Sequence, residues 1–132
     1  MSNRHLKILY LAAEVVPFAK TGGLADVAGS LPKAIHALGH DIRVAMPRYG
    51  RIDPGKFGLR KALGSFPVPL DENSDHAEIY EGRIGEAVPI YFVENQRLYD
   101  REGIYMYPDD AERFIFYCRA AIEMLRQMDW QP

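Results

Sequence analysis

The residues best suited to chemistry lie in one short segment, Pro17–Val27, which reads Pro-Phe-Ala-Lys-Thr-Gly-Gly-Leu-Ala-Asp-Val. Lys20 supplies a full positive charge on a flexible stem. Gly22 and Gly23 let backbone N–H groups approach a ligand without obstruction by a Cβ atom. Asp26 offers a carboxylate to hydroxyl groups. These residue types predict a site for a diphosphate, or for the sugar oxygens beside it.

The elements around this segment place it where such ligands bind. The apolar run Ile8–Ala13 predicts a strand buried on both faces of a parallel sheet. The loop Glu14–Gly23 follows, and apolar residues then recur at helical spacing from Leu24 to Leu38. The segment therefore joins the carboxyl end of a strand to the start of a helix, whose unpaired N–H groups and dipole attract anions.

The local pattern alone leaves a second interpretation open. A Gly-Gly pair before a helix is often only a turn, a lysine beside it is often a solvated charge, and an aspartate in the first helical turn is favoured by the dipole. Gly22, Gly23 and Gly29 do not form the G-x-G-x-x-G fingerprint of dinucleotide-binding folds. The segment is not a P-loop either, because Lys20 precedes the glycines.

The rest of the chain predicts an α/β domain. Pro32 should kink or divide the first helix, Gly39 is a plausible C-cap, and Asp41–Met46 predicts a second strand, completing a βαβ unit. Pro47–Lys61 is typical of a loop, as is Asn95–Pro108. Between these two loops, strand-like content predicts a hairpin or small antiparallel excursion, in the segments Phe66–Leu70, Ala77–Ile84 and Val88–Glu94.

A last helix is expected to begin with Asp109 or Asp110 as its cap and to end near Met128. The expected buried face consists of apolar residues at helical spacing, with Cys118 as inert core: Ala111, Phe114, Ile115, Cys118, Ile122 and Leu125. In an alternation of strands and helices another strand should follow this helix. The sequence therefore looks interrupted, and residues 1–132 are interpreted as one partial domain, incomplete at its carboxyl end.

Composition excludes several classes of function. The 132 residues are 48% hydrophobic and 26% charged, and 16 basic against 18 acidic residues give a net charge of −2. There is no basic stripe for nucleic acid and no apolar run long enough to span a membrane. One cysteine permits neither an intrachain disulfide nor a multi-cysteine metal site. A cytoplasmic globular domain is expected.

Several motifs, taken in order, resemble the N-terminal part of bacterial glycogen synthases and plant starch synthases. The run Glu14–Val27 is the long and specific one. Shorter segments follow in the family's order and near its spacing, at residues 31–34, 39–44, 46–49, 98–101 and 110–114. The resemblance covers most of the chain.

This resemblance implies a Rossmann-like, three-layer domain with a mostly parallel sheet, the N-terminal half of a two-domain GT-B glycosyltransferase. It implies a retaining transfer of glucose from ADP-glucose to the non-reducing end of an α-1,4-glucan, with no metal and no cofactor. The implied substrate-binding residues are Lys20 at the donor phosphate or sugar, Gly22 and Gly23 as the close-approach loop, and Asp26 and Tyr99 lining the cleft.

The chain departs from the family pattern in what it lacks. The family has a His-x-His-Asp-Trp type segment after the last helix and an Arg/Lys pair and a Glu in its second domain, and His5, His36, His40 and His76 do not form that segment. We therefore expect no catalytic residue in this chain, no activity from it alone, and a missing C-terminal domain as its partner.

Two other functions are weighed beside this one. The first is a non-catalytic module that binds a nucleotide sugar or glucan. The second, a nicotinamide-dependent dehydrogenase, lacks both the glycine fingerprint and an acidic residue after the second strand. Tyr105 and Tyr107 could stack on sugars, although loop packing is the commoner role of such a cluster.

Overall fold

A computed structural model describes residues 4–70 and 73–132. Five strands form one sheet in the order β1-β2-β5-β4-β3. The strands are β1 (Lys7–Leu11), β2 (Asp41–Pro47), β3 (Arg60–Leu70), β4 (Asn73–Ile84) and β5 (Val88–Glu94). The helices are α1 (Gly23–Ala37), α2 (Pro54–Phe57), α3 (Gln96–Tyr99) and α4 (Asp110–Gln127).

The sheet is mostly parallel, as expected. β1 pairs with β2 in parallel, with Tyr10 opposite Val44, and β2 pairs with β5 in parallel, with Val44 opposite Ile90. β4 runs against both β5 and β3, so four of the five strands share one direction. The predicted βαβ unit and the antiparallel excursion are both confirmed.

Two stretches predicted as loop contain regular structure. Residues 47–61 include α2 and the start of β3, and residues 95–108 include α3. β3 begins at Arg60 instead of the predicted Phe66 because its first half is a mostly exposed edge, which carries little apolar alternation. Pro32 does not divide α1, which runs without a break, and Gly39 follows the helix with a left-handed φ of 97°.

Both faces of the interior strand β2 are buried, which is typical of a three-layer arrangement. Ile42, Val44 and Met46 point to one face and Ala45 to the other, and each is at most 1% exposed. α1 packs against β2 and β5, and α4 packs against β2, β3 and β5. The sheet thus fixes the start of α1 beside the end of β1, where the segment Pro17–Val27 lies.

The prediction for the buried face of α4 is wrong. The helix buries a different stripe, namely Arg113, Phe116, Tyr117, Ala120, Ala121 and Met124. Ile115 and Ile122 are 53% and 55% exposed, and Cys118 is exposed instead of being core. α4 is apolar on two sides, and the side that carries Phe116, Tyr117 and Met124 faces the sheet. Ile115 and Ile122 on the other side are left uncovered within the described part of the chain.

The buried stripe of α1, unlike that of α4, carries no large side chain. Its buried residues are small or compact, Ala25, Ala28, Gly29 and Pro32, whereas larger apolar side chains are exposed. Leu24, Val27, Leu31 and Leu38 are between 41% and 75% exposed. No helix in the described ranges is long and apolar enough to cross a membrane. Those same residues contain no group of three or more side chains suited to hold a metal ion.

Candidate functional site at the start of the first helix

The loop between β1 and α1 is anchored by buried side chains. Phe18 is 6% exposed, and its ring meets Phe57 and Phe92 edge-on with centroids 4.8 and 5.0 Å away. The backbone N–H groups of Phe18 and Ala19 donate to the carbonyl oxygen of Val15 at 2.9 and 3.0 Å. The loop is therefore a fixed platform, because its apolar residues belong to the core.

Glu14 is the most extensively bonded side chain of the loop, although it is only 2% exposed. Its Oε1 accepts hydrogen bonds from the backbone N–H groups of Thr21 and Gly22, both at 3.1 Å. Its Oε2 accepts from the hydroxyls of Thr21 and Tyr105, both at 2.7 Å. The carboxylate thus joins the end of β1 to the glycine loop and to a segment 91 residues away.

These contacts keep Glu14 ionised in spite of its burial. Burial by itself raises the pKa of the carboxyl group, because it penalises the charged form. Hydrogen bonds from Tyr105, from the Thr21 side chain and from the two backbone N–H groups oppose that effect and lower the pKa to about 2. Conversely, burial and the nearby carboxylate raise the pKa of Tyr105, which stays a neutral donor.

Lys20 and Asp26 form an ion pair on the outer side of the loop. The Lys20 Nζ atom lies 2.8 Å from Oδ1 and 2.7 Å from Oδ2 of Asp26. The two side chains are 51% and 55% exposed, so the pair faces solvent. An exposed pair of this kind contributes only ~0.2–1 kcal/mol, and Lys20 can exchange its partner at little cost.

The two adjacent glycines face open space. A Cβ atom placed on Gly22 or on Gly23 would meet no atom within 4 Å. Gly22 is extended, with φ of −161°, a conformation that any residue adopts. Neither its backbone angle nor a contact within the described chain therefore explains a glycine at position 22. The absence of side chains instead leaves the first turn of α1 open to a ligand, and no side chain caps that helix at Gly22.

Gly29 provides a contrast within the same helix. A Cβ atom there would collide with the Val16 side chain and would lie 3.0 Å from its carbonyl oxygen. The Val16 N–H donates to the Ala25 carbonyl at 3.1 Å, so the loop rests directly on α1. Gly29 is needed for this close approach.

Tyr99 does not join the surface that carries Lys20. Its side chain is 0% exposed, and its hydroxyl donates to the backbone carbonyl of Arg113 at 2.6 Å. Burial raises its pKa. The Arg113 guanidinium, also fully buried, donates to the carbonyl oxygens of Leu98 and Ile104 and to Asp110. In this chain Tyr99 holds α3 against α4.

Arg48 and Tyr107 also have partners inside the chain. Arg48 pairs with Glu94 and donates to the carbonyl oxygen of Ile52. The hydroxyl of Tyr107 accepts from the backbone N–H of Gly103 at 2.9 Å. Sequence reasoning missed Glu14 as a structural centre. The only available signal was an isolated acid at the end of an apolar strand, a place where a charge must find partners if it is buried.

A protein-family description, "Starch synthase catalytic domain", matches residues 7–132. The chain belongs to this family. It is 47% identical, over its whole length, to a glycogen synthase of Desulforudis audaxviator, and 48% identical over 98% of its length to a glycogen synthase of Moorella thermoacetica. The backbone resembles the catalytic domain of starch synthase IV from Arabidopsis thaliana bound to ADP and acarbose, with a TM-score of 0.88, 32% identity and 98% of the chain covered.

The chain spans about a quarter of the proteins it matches. It covers 28% and 26% of the two bacterial enzymes and 27% of the plant structure. The resemblance to glycogen and starch synthases expected from the motifs is therefore confirmed, as is the α/β fold.

Proposed function

We propose that this chain supplies one half of the donor site of a glycogen synthase. In the full-length protein, glucose passes from ADP-glucose to the non-reducing end of an α-1,4-glucan with retention of configuration. The bond from the glucose C1 to the diphosphate breaks, and a bond from C1 to the acceptor oxygen forms. The single observation that carries the proposal is the open, uncapped first turn of α1 with Lys20 beside it.

Lys20 is proposed to contact the donor diphosphate. As the bond to glucose breaks, negative charge grows on the departing diphosphate, and a nearby ammonium lowers the energy of that state. Because the ion pair with Asp26 is exposed and weak, Lys20 can turn from the carboxylate to a phosphate oxygen. Asp26, once released, is available to accept a hydrogen bond from a substrate hydroxyl.

Gly22 and Gly23 are proposed to let the donor approach the backbone. A Cβ atom on either residue would meet no atom of the described chain within 4 Å. N–H groups of the first helical turn lack partners within the helix and carry partial positive charge, which suits phosphate oxygens. The plant relative of 32% identity was solved with ADP bound, which supports a nucleoside diphosphate as the leaving group here.

The rest of the full-length protein is proposed to complete the cleft and to cover the apolar faces of the two long helices. Leu24, Val27 and Leu31 on α1, and Ile115 and Ile122 on α4, are each at least 41% exposed. Uncovered apolar faces of this kind are typical of surfaces that pack against further polypeptide. The isolated chain is therefore expected to lack glucosyl transfer, and the full-length protein to act in the cytoplasm.

The test is an assay of the full-length protein with ADP-glucose and glycogen, in which ADP release and chain elongation are both measured. We expect elongation that requires ADP-glucose, and its absence would contradict the proposal. Calorimetry of the 132-residue chain with ADP-glucose addresses the alternative of a non-catalytic binding module. Very weak binding supports a half-site, whereas tight binding supports a self-sufficient module.

A further inference from the structure

The backbone N–H groups of Thr21 and Gly22 already bind an anion, which is the carboxylate of Glu14. Two successive N–H groups point to one oxygen of Glu14, in the way that backbone N–H pairs elsewhere bind phosphate. The other oxygen accepts hydrogen bonds from the hydroxyl groups of Thr21 and Tyr105, both at 2.7 Å. A buried carboxylate with four hydrogen bonds, two of them at 2.7 Å, is a strong and well-satisfied acceptor.

We propose that Glu14 is a positioning residue for the donor site. Its carboxylate occupies the Thr21 and Gly22 N–H groups, fixes the extended backbone of Gly22 and leaves only the outer side of the loop to an external phosphate. This inference rests on the proposed function, because it assigns the donor to the first turn of α1. It adds a residue that itself touches no substrate.

The negative charge of Glu14 explains how it would position the diphosphate of the donor. An ionised carboxylate behind Thr21 repels a phosphate that approaches the same N–H groups. The next donors along the chain are the N–H groups of Gly23 and Leu24, in the first turn of α1. The diphosphate is thereby shifted outward, to where the lysine can reach it.

Tyr105 connects this arrangement to a second loop. Its hydroxyl donates to Glu14, its ring lies 5.8 Å from that of Phe114 on α4, and the neighbouring N–H groups of Met106 and Tyr107 donate to Asp110. The glycine loop is thus braced from the amino end of α4. Glu14 is therefore a direct contact between the two loops.

The kinetic test compares three variants of the full-length protein. Glu14→Gln removes the charge but keeps the shape, whereas Thr21→Val and Tyr105→Phe each remove one hydroxyl donor and leave the carboxylate on the backbone N–H groups. We expect Glu14→Gln to lose on the order of tenfold to a hundredfold in kcat/KM for ADP-glucose, as misplacement of a substrate does. The KM for glycogen should stay unchanged, and the other two variants should lose much less.

A purely structural role gives a different result. All three variants would then lower the melting temperature in step with the bonds removed, while the KM for ADP-glucose stayed the same in the folded protein. That outcome would overturn the proposal. So would a Glu14→Gln variant whose kcat/KM for ADP-glucose matches that of the unmodified protein.

An NMR measurement on the 132-residue chain tests the positioning role of Glu14 independently of glucosyl transfer. With inorganic phosphate as the probe, we expect the backbone amide resonances of Gly23 and Leu24 to move and those of Thr21 and Gly22 to stay in place. Movement concentrated at Thr21 and Gly22, or no movement anywhere in the loop, contradicts the proposal. Failure of the glycogen assay alone would instead count against the proposed function.

Discussion

The two sides of the loop before α1 use acidic residues in opposite ways. On the inner side, Glu14 is 2% exposed and accepts four hydrogen bonds from protein groups. On the outer side, Asp26 is half exposed and holds only Lys20. The inner carboxylate is committed to the fold, whereas the outer pair can be exchanged. Burial and the number of partners, not residue type, separate a structural charge from one available to a ligand.

The glycines repeat the comparison. Gly29 is surrounded, because any side chain there would strike Val16, whereas Gly22 and Gly23 have empty space above them. A glycine whose absent side chain is explained by a neighbour serves packing. No neighbour in the described chain explains Gly22 and Gly23, and their open backbone is what the proposed donor site requires.

The largest effect should come from the outer side. Lys20→Ala in the full-length protein is expected to reduce turnover with ADP-glucose by ~10²–10³-fold, the usual loss on removal of one charge-stabilising contact. Its melting temperature should stay nearly unchanged, because the ion pair with Asp26 is exposed. Steady-state kinetics and a thermal melt measure both quantities.

Lys33→Ala is the matched control, since Lys33 is an exposed lysine on α1, the helix that follows the Lys20 loop. It should leave turnover unchanged. Equal losses in the two variants, or full activity of Lys20→Ala, would show that the outer side has no special role.

On the inner side of the loop, Glu14 should make the stability of the chain depend on pH in the acidic range. The folded pKa of Glu14 is about 2, against an ordinary value of 4.5, so the unfolded state binds more protons between these values. The ionised Glu14 side chain thereby contributes on the order of 3 kcal/mol to the free energy of unfolding. This contribution is complete above pH 4.5 and is lost as the pH falls toward 2. Urea unfolding of the chain between pH 6 and pH 2 measures this change.

The same urea unfolding experiments on the Glu14→Gln variant isolate the effect of Glu14. The pKa values of Asp75, Asp109 and Asp110 are also lowered, and these three groups add the same pH dependence to the stability of both proteins. The stability gap between the two proteins should narrow as the pH falls. A gap that stays constant would mean that Glu14 is not held as a carboxylate by the fold.

The smallest expected effect is a difference in stability between substitutions at the packed Gly29 and at the open Gly23. Gly29→Ala is expected to lower the free energy of unfolding by about 1–3 kcal/mol, because the added methyl group overpacks against Val16. Gly23→Ala on the same helix should leave stability unchanged or slightly raised, since alanine favours helix. Chemical denaturation compares the two, and equal losses would remove the distinction drawn between them.

The order of strands and helices could be predicted from local patterns. The βαβ unit, the antiparallel excursion and the long last helix follow from apolar runs, turn residues and helical spacing, all of which act over short distances. The short helices α2 and α3 were missed because four residues are too few to show a helical period.

Faces and partners could not be predicted in the same way. α4 carries apolar residues on two sides, and periodicity alone gives no reason to bury Ala120 and Ala121 in preference to Ile115 and Ile122. Tyr99 could be named from a motif, but its burial depends on packing against Arg113. The role of Glu14 needs Tyr105, a residue that only the folded chain brings to it.

The most direct test is a structure of the full-length protein with ADP bound. We expect a phosphate oxygen about 2.7–2.9 Å from the Lys20 Nζ atom, beside Gly23, with the four hydrogen bonds of Glu14 retained. A diphosphate remote from Lys20, or one that displaces Glu14 from the Thr21 and Gly22 N–H groups, would contradict it.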